Sequence, residues 1–468
     1  MLGFLYMKEG AEQLKGHKFS LVIDEPTDMA TESQMAVIGT YFDAESFKMN
    51  TVFIDLVDLP NGKADTIYTA VIQCLQEKHL PMENVIGFCA NTCSVMFGVQ
   101  HPISQLLRKH HPWIVPVKCS GDLIRQCASR ASLKLPKSLE DLCRNIHSHF
   151  RMCLQKRDAF REFQDLPNAD DHRILGAGHT RWLAMKICVD RILEQYEALK
   201  AYFQGVAIED PTHTNDSILT SLTNAFTVAY LEFMSYNLGR LASFNKLFQS
   251  EVPLLHVLKH EVSQLLLGLS LDFMELSHVR MCDPLDLNVN DEEHHMPLCN
   301  VYTGVKASKA IQSVGDSIGA KHPDITLFQH HCKQFLIECV TEIQHRFSNL
   351  QELDFLRCLE PAVANNLTIP SLAPLYQKLP YLEEVASVQD VDTEWRKHST
   401  LPTLNGSLPV QEYWRGVFTQ KDACGNQVHP HLSKIISVLL SFPFSNAAVE
   451  RVFSQLRLIK DDRWTNIK

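Results

Sequence analysis

Residues 19–28 read FSLVIDEPTD. Phe19 to Ile23 is a short apolar run, and it ends at Asp24 among turn-prone neighbours. That pattern predicts a buried strand with an acidic residue at its carboxyl end. On the C-terminal side, Met35 to Phe42 and Thr51 to Leu56 are rich in β-formers and bounded by polar residues, which predicts two further strands. Ala64 to Lys78 carries Ile67, Ala70, Val71, Cys74 and Leu75 at helical spacing. Val85 to Cys89 and Trp113 to Lys118 read as a fourth and a fifth strand. Three early strands, a helix and two later strands predict a mixed sheet flanked by helices.

Beyond about Cys119 the texture changes. Leu139 to Phe163, Arg181 to Phe203, Ile218 to Phe248, Val252 to Phe273 and Ile325 to Phe347 have helical periodicity. In the second of these, Trp182, Met185, Val189, Ile192, Leu193, Tyr196 and Leu199 recur at three- and four-residue steps. Cys282 to Asn300 and Glu384 to Gln411 lack periodicity and are expected to be loops. Near the end, Leu432, Ile435, Ile436 and Leu439 form an apolar stripe stopped by Pro443. Ser445 is the expected N-cap of a last helix, with Val449, Val452, Phe453, Leu456 and Ile459 on its buried side.

A chain of 468 residues is too long for one ordinary domain and can bury two or more cores. Its 45% hydrophobic and 21% charged residues give the balance of a soluble globular protein. Ile435 to Phe444 is too short to span a bilayer, and the opening Met1 to Met7 lacks the features of a secretion signal, so no membrane association is expected. Fourteen cysteines are scattered without the spacing of a disulfide framework, which points to reduced thiols in a cytosolic or nuclear compartment. A net charge of -10 argues against a polyanion grip by the whole molecule, because phosphate binding depends on Lys and Arg.

LVIDEPTD at 21–28, VIGFCANTCSVMFG at 85–98 and SNAAVERVFSQLRLIK at 445–460 are three separated segments. Together they resemble the hAT family of DNA transposases. The last is similar to the family's C-terminal dimerisation motif, and TRWLAMKICVDRIL at 180–193 is a weaker fourth match. The resemblance implies α/β plus all-α architecture, a ribonuclease-H-like mixed sheet interrupted by a large helical insertion. On this chain it implies an α/β region over residues 1–165, a helical insertion over 166–410 and a dimerisation region over 411–468 that completes the sheet domain. It also implies two aspartates and one glutamate holding two Mg²⁺ ions for strand cleavage and joining.

By position, Asp24 matches the first aspartate and Glu450 the glutamate, while Asn91 stands where the second aspartate belongs. An amide keeps the shape but loses the charge, so no metal, no cofactor and no transposase activity are expected. In the segment 117–129, the family's C-x-x-H pair becomes Cys119 and Asp122. A zinc-finger module of the CxxC…H kind is not seen before the first strand, so weak or no nucleic-acid binding is expected. The resemblance further implies a nuclear location and self-association through Val449, Val452, Phe453 and Leu456. It gives Arg181 and Trp182 a DNA-facing role, although Trp182 suits the core of an amphipathic helix equally well.

The function expected is that of a domesticated transposase-derived binding module. The alternatives are an active hAT transposase, in which Asn91 is tolerated or Asp28 or Asp55 takes its place, and a transposon remnant with no cellular role. Taken singly, Asp24 reads as a turn residue, Glu450 as a solvated helix position and Asn91 as a helix cap. His294, His295 and Cys299 lack the paired spacing of a zinc site, as do His330, His331 and Cys332, and both sets are expected on loops or helix surfaces.

Overall fold

The computed structural model describes residues 11–24, 33–98, 100–151, 160, 182–250, 252–401 and 404–452. Five strands, β1 Phe19–Asp24, β2 Ser33–Asp43, β3 Lys48–Leu59, β4 Val85–Ala90 and β5 Val115–Lys118, form one sheet in the order β3-β2-β1-β4-β5. The first three are antiparallel, whereas β4 and β5 run parallel to β1. The sheet is mixed, as the sequence predicts, and β2 and β3 extend past the predicted spans at both ends.

Side-chain alternation sorts the strands into two faces. Leu21, Ile23, Met35 and Val37 enter one apolar core, which helices Ala64–Glu77 and Ile103–His110 close through Ile67, Val71, Cys74, Leu75, Ile103 and Leu107. Val22, Ala36, Ile38 and Cys89 enter a smaller core on the opposite face, with Cys119 and Val449.

The chain divides into two compact units. One comprises Met1–Asp122, Phe248–Lys259 and Asn349–Lys468 and holds the sheet. The other comprises Leu123–Leu247 and His260–Ser348, and its described residues are mainly helical. Within it, helices Thr227–Leu247 and Pro323–Arg346 meet through Phe233 against Phe335 and Tyr230 against Phe328, both edge-on. Arg240 pairs with the buried Asp272.

Several helical expectations are corrected. The run over 181–203 is two helices, Trp182–Glu194 and Tyr196–Glu209, because the backbone leaves the helical region at Gln195 (φ -110°, ψ 19°). The run over 218–248 is His213–Thr223 followed by Thr227–Leu247. There Asn224 Oδ1 accepts from the Phe226 N–H at 2.8 Å, and this local turn competes with continuing the helix. The segment 384–411 is not all loop. It contains helix Val388–His398, with Val391, Trp395 and His398 buried, and charged residues on the other faces masked that spacing. Helix Ser120–Ser132 has no counterpart among the expected elements. Among the described residues, no helix is long and apolar enough to cross a membrane, and the described cysteines are free thiols.

Candidate functional site

The parallel register pairs Ile23 of β1 with Ala90 of β4, so Asp24 and Asn91 stand side by side at adjacent carboxyl ends. In open α/β sheets, ligand sites form outside these ends. Asn91 Nδ2 donates to Asp24 Oδ1 at 2.9 Å, while Asn91 Oδ1 accepts from the Cys93 N–H at 3.3 Å. The two bonds together fix which way the amide points. Asn91 is not the helix cap that its residue type suggests. Cys93 precedes the short helix Ser94–Phe97, and the Asn91 side chain closes a turn instead.

The C-terminal segment reaches these strand ends by crossing the sheet. Ser441 pins it to two strands, since its Oγ accepts from the Phe42 N–H at 2.8 Å and its carbonyl accepts from Ser20 Oγ at 2.8 Å. Pro443 then crosses β4 at Gly87, where an added Cβ would lie 2.6 Å from Pro443 Cδ and 2.6 Å from Ser20 Oγ. Beyond it, the Phe444 carbonyl accepts from Ser120 Oγ at 3.0 Å, and Asn446 Oδ1 accepts from Cys119 Sγ at 3.0 Å. The last helix starts at residue 447, and its first bond runs from the Glu450 N–H to the Asn446 carbonyl at 3.1 Å. Asn446, not Ser445, therefore occupies the cap position. Its side chain is engaged by Cys119.

These contacts seat the Val449–Glu450 turn on the face that carries Val22 and Cys89, which precede Asp24 and Asn91 by two residues each. Because i and i+2 share a face of a strand, that is also the face of Asp24, to which Asn91 is bonded. The structure thus brings the strand ends and the Glu450 helix to one face. Cys89 is fully buried there, and burial first, then Cys119 and Asp24, push its thiol well above the ordinary range, so it is no nucleophile. Asp122, in the first turn of Ser120–Ser132, is also buried.

Val449 is wholly buried within a single chain, and Val452 is partly buried against the same cluster. Phe453, Leu456 and Arg181 lie outside the described residues. Trp182 begins its helix, but its side chain lies outside them too. The histidines flagged in the sequence have ordinary partners. His295 Nε2 meets the Val289 carbonyl at 2.9 Å, His331 Nδ1 meets Tyr230 Oη at 2.7 Å, and His294 stacks on His278 with centroids 3.7 Å apart. Among the described residues, no group of three His, Cys, Asp or Glu side chains is placed to hold a metal ion. Sequence reasoning missed Gly87, Ser441 and the Cys119–Asn446 bond. The only signal for them was the SFPFSN run at 441–446, a turn-prone break between two apolar helices.

Two family models match the chain. Residues 6–101 match the ZMYM1/FAM200 RNase-like domain, and residues 393–468 match the hAT family C-terminal dimerisation region. Together they support a hAT-type transposase-derived protein. No curated protein matches the chain. The RNase-like match covers β1 to β4 with Asp24 and Asn91, and the dimerisation match covers Trp395, the Ser441 crossing and Glu450. The two ends of the chain that meet at the sheet are thus the two that carry the family's patterns.

Proposed function

We propose that this protein is a domesticated transposase derivative that binds and self-associates in the nucleus without cleaving or joining DNA. The observation that carries the reading is the 2.9 Å bond from Asn91 Nδ2 to Asp24 Oδ1. An amide nitrogen is a donor and offers no lone pair to a cation. Here it also occupies a carboxylate oxygen that a metal would need. Two divalent ions held close together require anionic ligands to offset their repulsion. In this arrangement Asp24, Asn91 and Glu450 do not fit such a centre.

In this reading the helical unit corresponds to the family's insertion into the ribonuclease-H-like sheet. Departure from the sheet unit after Asp122 and final return at Asn349, with Phe248–Lys259 alone between them belonging to the sheet unit, support that correspondence. Arg181 and Trp182 are assigned a DNA-facing role, with binding weak and strongly salt-dependent at a net charge of -10. Self-association is assigned to the C-terminal region. Val449 and Val452 pack on the sheet cluster, so the surface between copies falls to other residues of the C-terminal region.

The test is purified full-length chain with transposon-end DNA and Mg²⁺ or Mn²⁺, followed by gel analysis of strand scission and joining. No product is expected. Nicking or joining that Glu450→Ala abolishes would establish the alternative, an active transposase.

A further inference from the structure

The sheet face that carries Val22 also bounds a cavity of about 40 Å³, beneath the Pro443–Arg451 segment and beside Ser250. Its polar lining is Thr40, Thr51, Ser250, Ser445 and Arg451, and none of the described lining residues is acidic. Thr40 is only 7% exposed. Its hydroxyl and that of Ser250 are buried with no hydrogen-bond partner among the described residues. A buried polar group left unsatisfied is costly, so two such hydroxyls around one cavity point to a ligand. One water needs only about 10–15 Å³, less than this cavity provides. Its charged lining group is a guanidinium, held near Ser250 by the contact of Arg451 Nη1 with the Gln249 carbonyl at 3.5 Å. Hydroxyl donors and a guanidinium without an acidic wall suit an oxyanion, to which Arg donates charge-assisted bonds.

We propose that this cavity is an oxyanion site that receives one phosphoryl group, with the Thr40 and Ser250 hydroxyls donating from its floor and Arg451 supplying charge at its mouth. The inference goes beyond the non-catalytic reading and does not depend on it.

The test uses the full chain, with inorganic phosphate as the probe and sodium chloride of matched ionic strength as the control. The readout is the thermal unfolding midpoint. A saturable rise in phosphate that chloride does not reproduce is expected. Arg451→Gln alters an exposed residue and should weaken the titration by about tenfold or more, the loss of one bond to a charged group. Thr40→Val removes the unpartnered hydroxyl with little change of shape. It should weaken the titration while leaving the phosphate-free midpoint no lower.

A labelled single-stranded oligonucleotide separates two sources of the same chemistry. Oligonucleotide binding that phosphate displaces and Arg451→Gln abolishes assigns the site to a nucleic-acid backbone. Phosphate binding without oligonucleotide binding assigns it to a free anion. A midpoint that phosphate does not raise beyond chloride, or a rise that Arg451→Gln leaves unchanged, overturns the proposal. So does a Thr40→Val variant that is less stable and indifferent to phosphate, which is the mark of a bound water only.

Discussion

Reversion of Asn91 to Asp is the sharpest probe of the strand-end pair. In the wild-type chain the amide donates to Asp24 at 2.9 Å, a bond to a charged group worth about 1.5–3 kcal/mol. Asn91→Asp replaces that donor by a second carboxylate at the same separation. Two unit charges 2.9 Å apart repel by about 6 kcal/mol at an effective dielectric of about 20. The pair will not bear all of this, because one carboxyl can take a proton. Holding a group of ordinary pKa near 4 protonated at pH 7 costs about 4 kcal/mol, which caps the penalty. The variant should therefore lose about 2–4 kcal/mol at pH 7 in chelator. The shared proton raises the folded-state pKa of one carboxyl, so the deficit should shrink as pH falls toward the unfolded carboxylate value. Millimolar Mg²⁺ should recover much of the loss in the variant and do little for the wild type. Urea unfolding in EDTA and in MgCl₂, at several pH values, measures each quantity. A variant as stable as wild type in EDTA would refute the Asp24–Asn91 contact. Equal gains from Mg²⁺ in both proteins would refute the claim that the amide disables the site.

Three further outcomes follow from packing and burial. Gly87→Ala places a methyl carbon within 2.6 Å of Pro443 and should cost about 1–3 kcal/mol in urea unfolding, with the 441–446 crossing more open to proteolysis; an unperturbed variant would mean that Pro443 does not cross β4 there. Val449→Asp should cost about 3–5 kcal/mol, because it buries an unpaired charge within one chain; a stable, merely monomeric variant would place Val449 between copies instead. Burial holds His256 and His398 at about 4, and burial followed by nearby Lys397 does the same for His429. Neutral histidine is favoured in the fold, so this stability is present above the ordinary value of 6.5 and is lost as pH falls toward 4. Each of His256 and His398 should then contribute a loss of roughly 2 kcal/mol between pH 7 and pH 5. A urea midpoint that is flat over that interval would contradict their burial.

Apolar runs and β-forming residues bounded by turn-prone ones were enough to find β1 to β5, whereas the fold decided that Leu21 and Ile23 enter one core and Val22 the other. Periodicity was less reliable for helices. Asn224 ended one where the apolar pattern ran on, and Trp395 anchored one where charged residues obscured the pattern. Residue type alone established that position 24 is a carboxylate, position 91 an amide and position 450 a carboxylate. It did not reveal that the amide nitrogen faces Asp24, because that orientation depends on the parallel register of β1 with β4 and on the Cys93 N–H. Nor did it reveal that Val449 is buried against Val22 and Cys89. That burial rests on the Ser20–Ser441 hydrogen bond between residues 421 positions apart and on the gap that Gly87 leaves for Pro443. Local chemistry fixes which side chains a segment offers. The long-range hydrogen bonds and close packing of the folded chain fix which of them meet, and in what orientation.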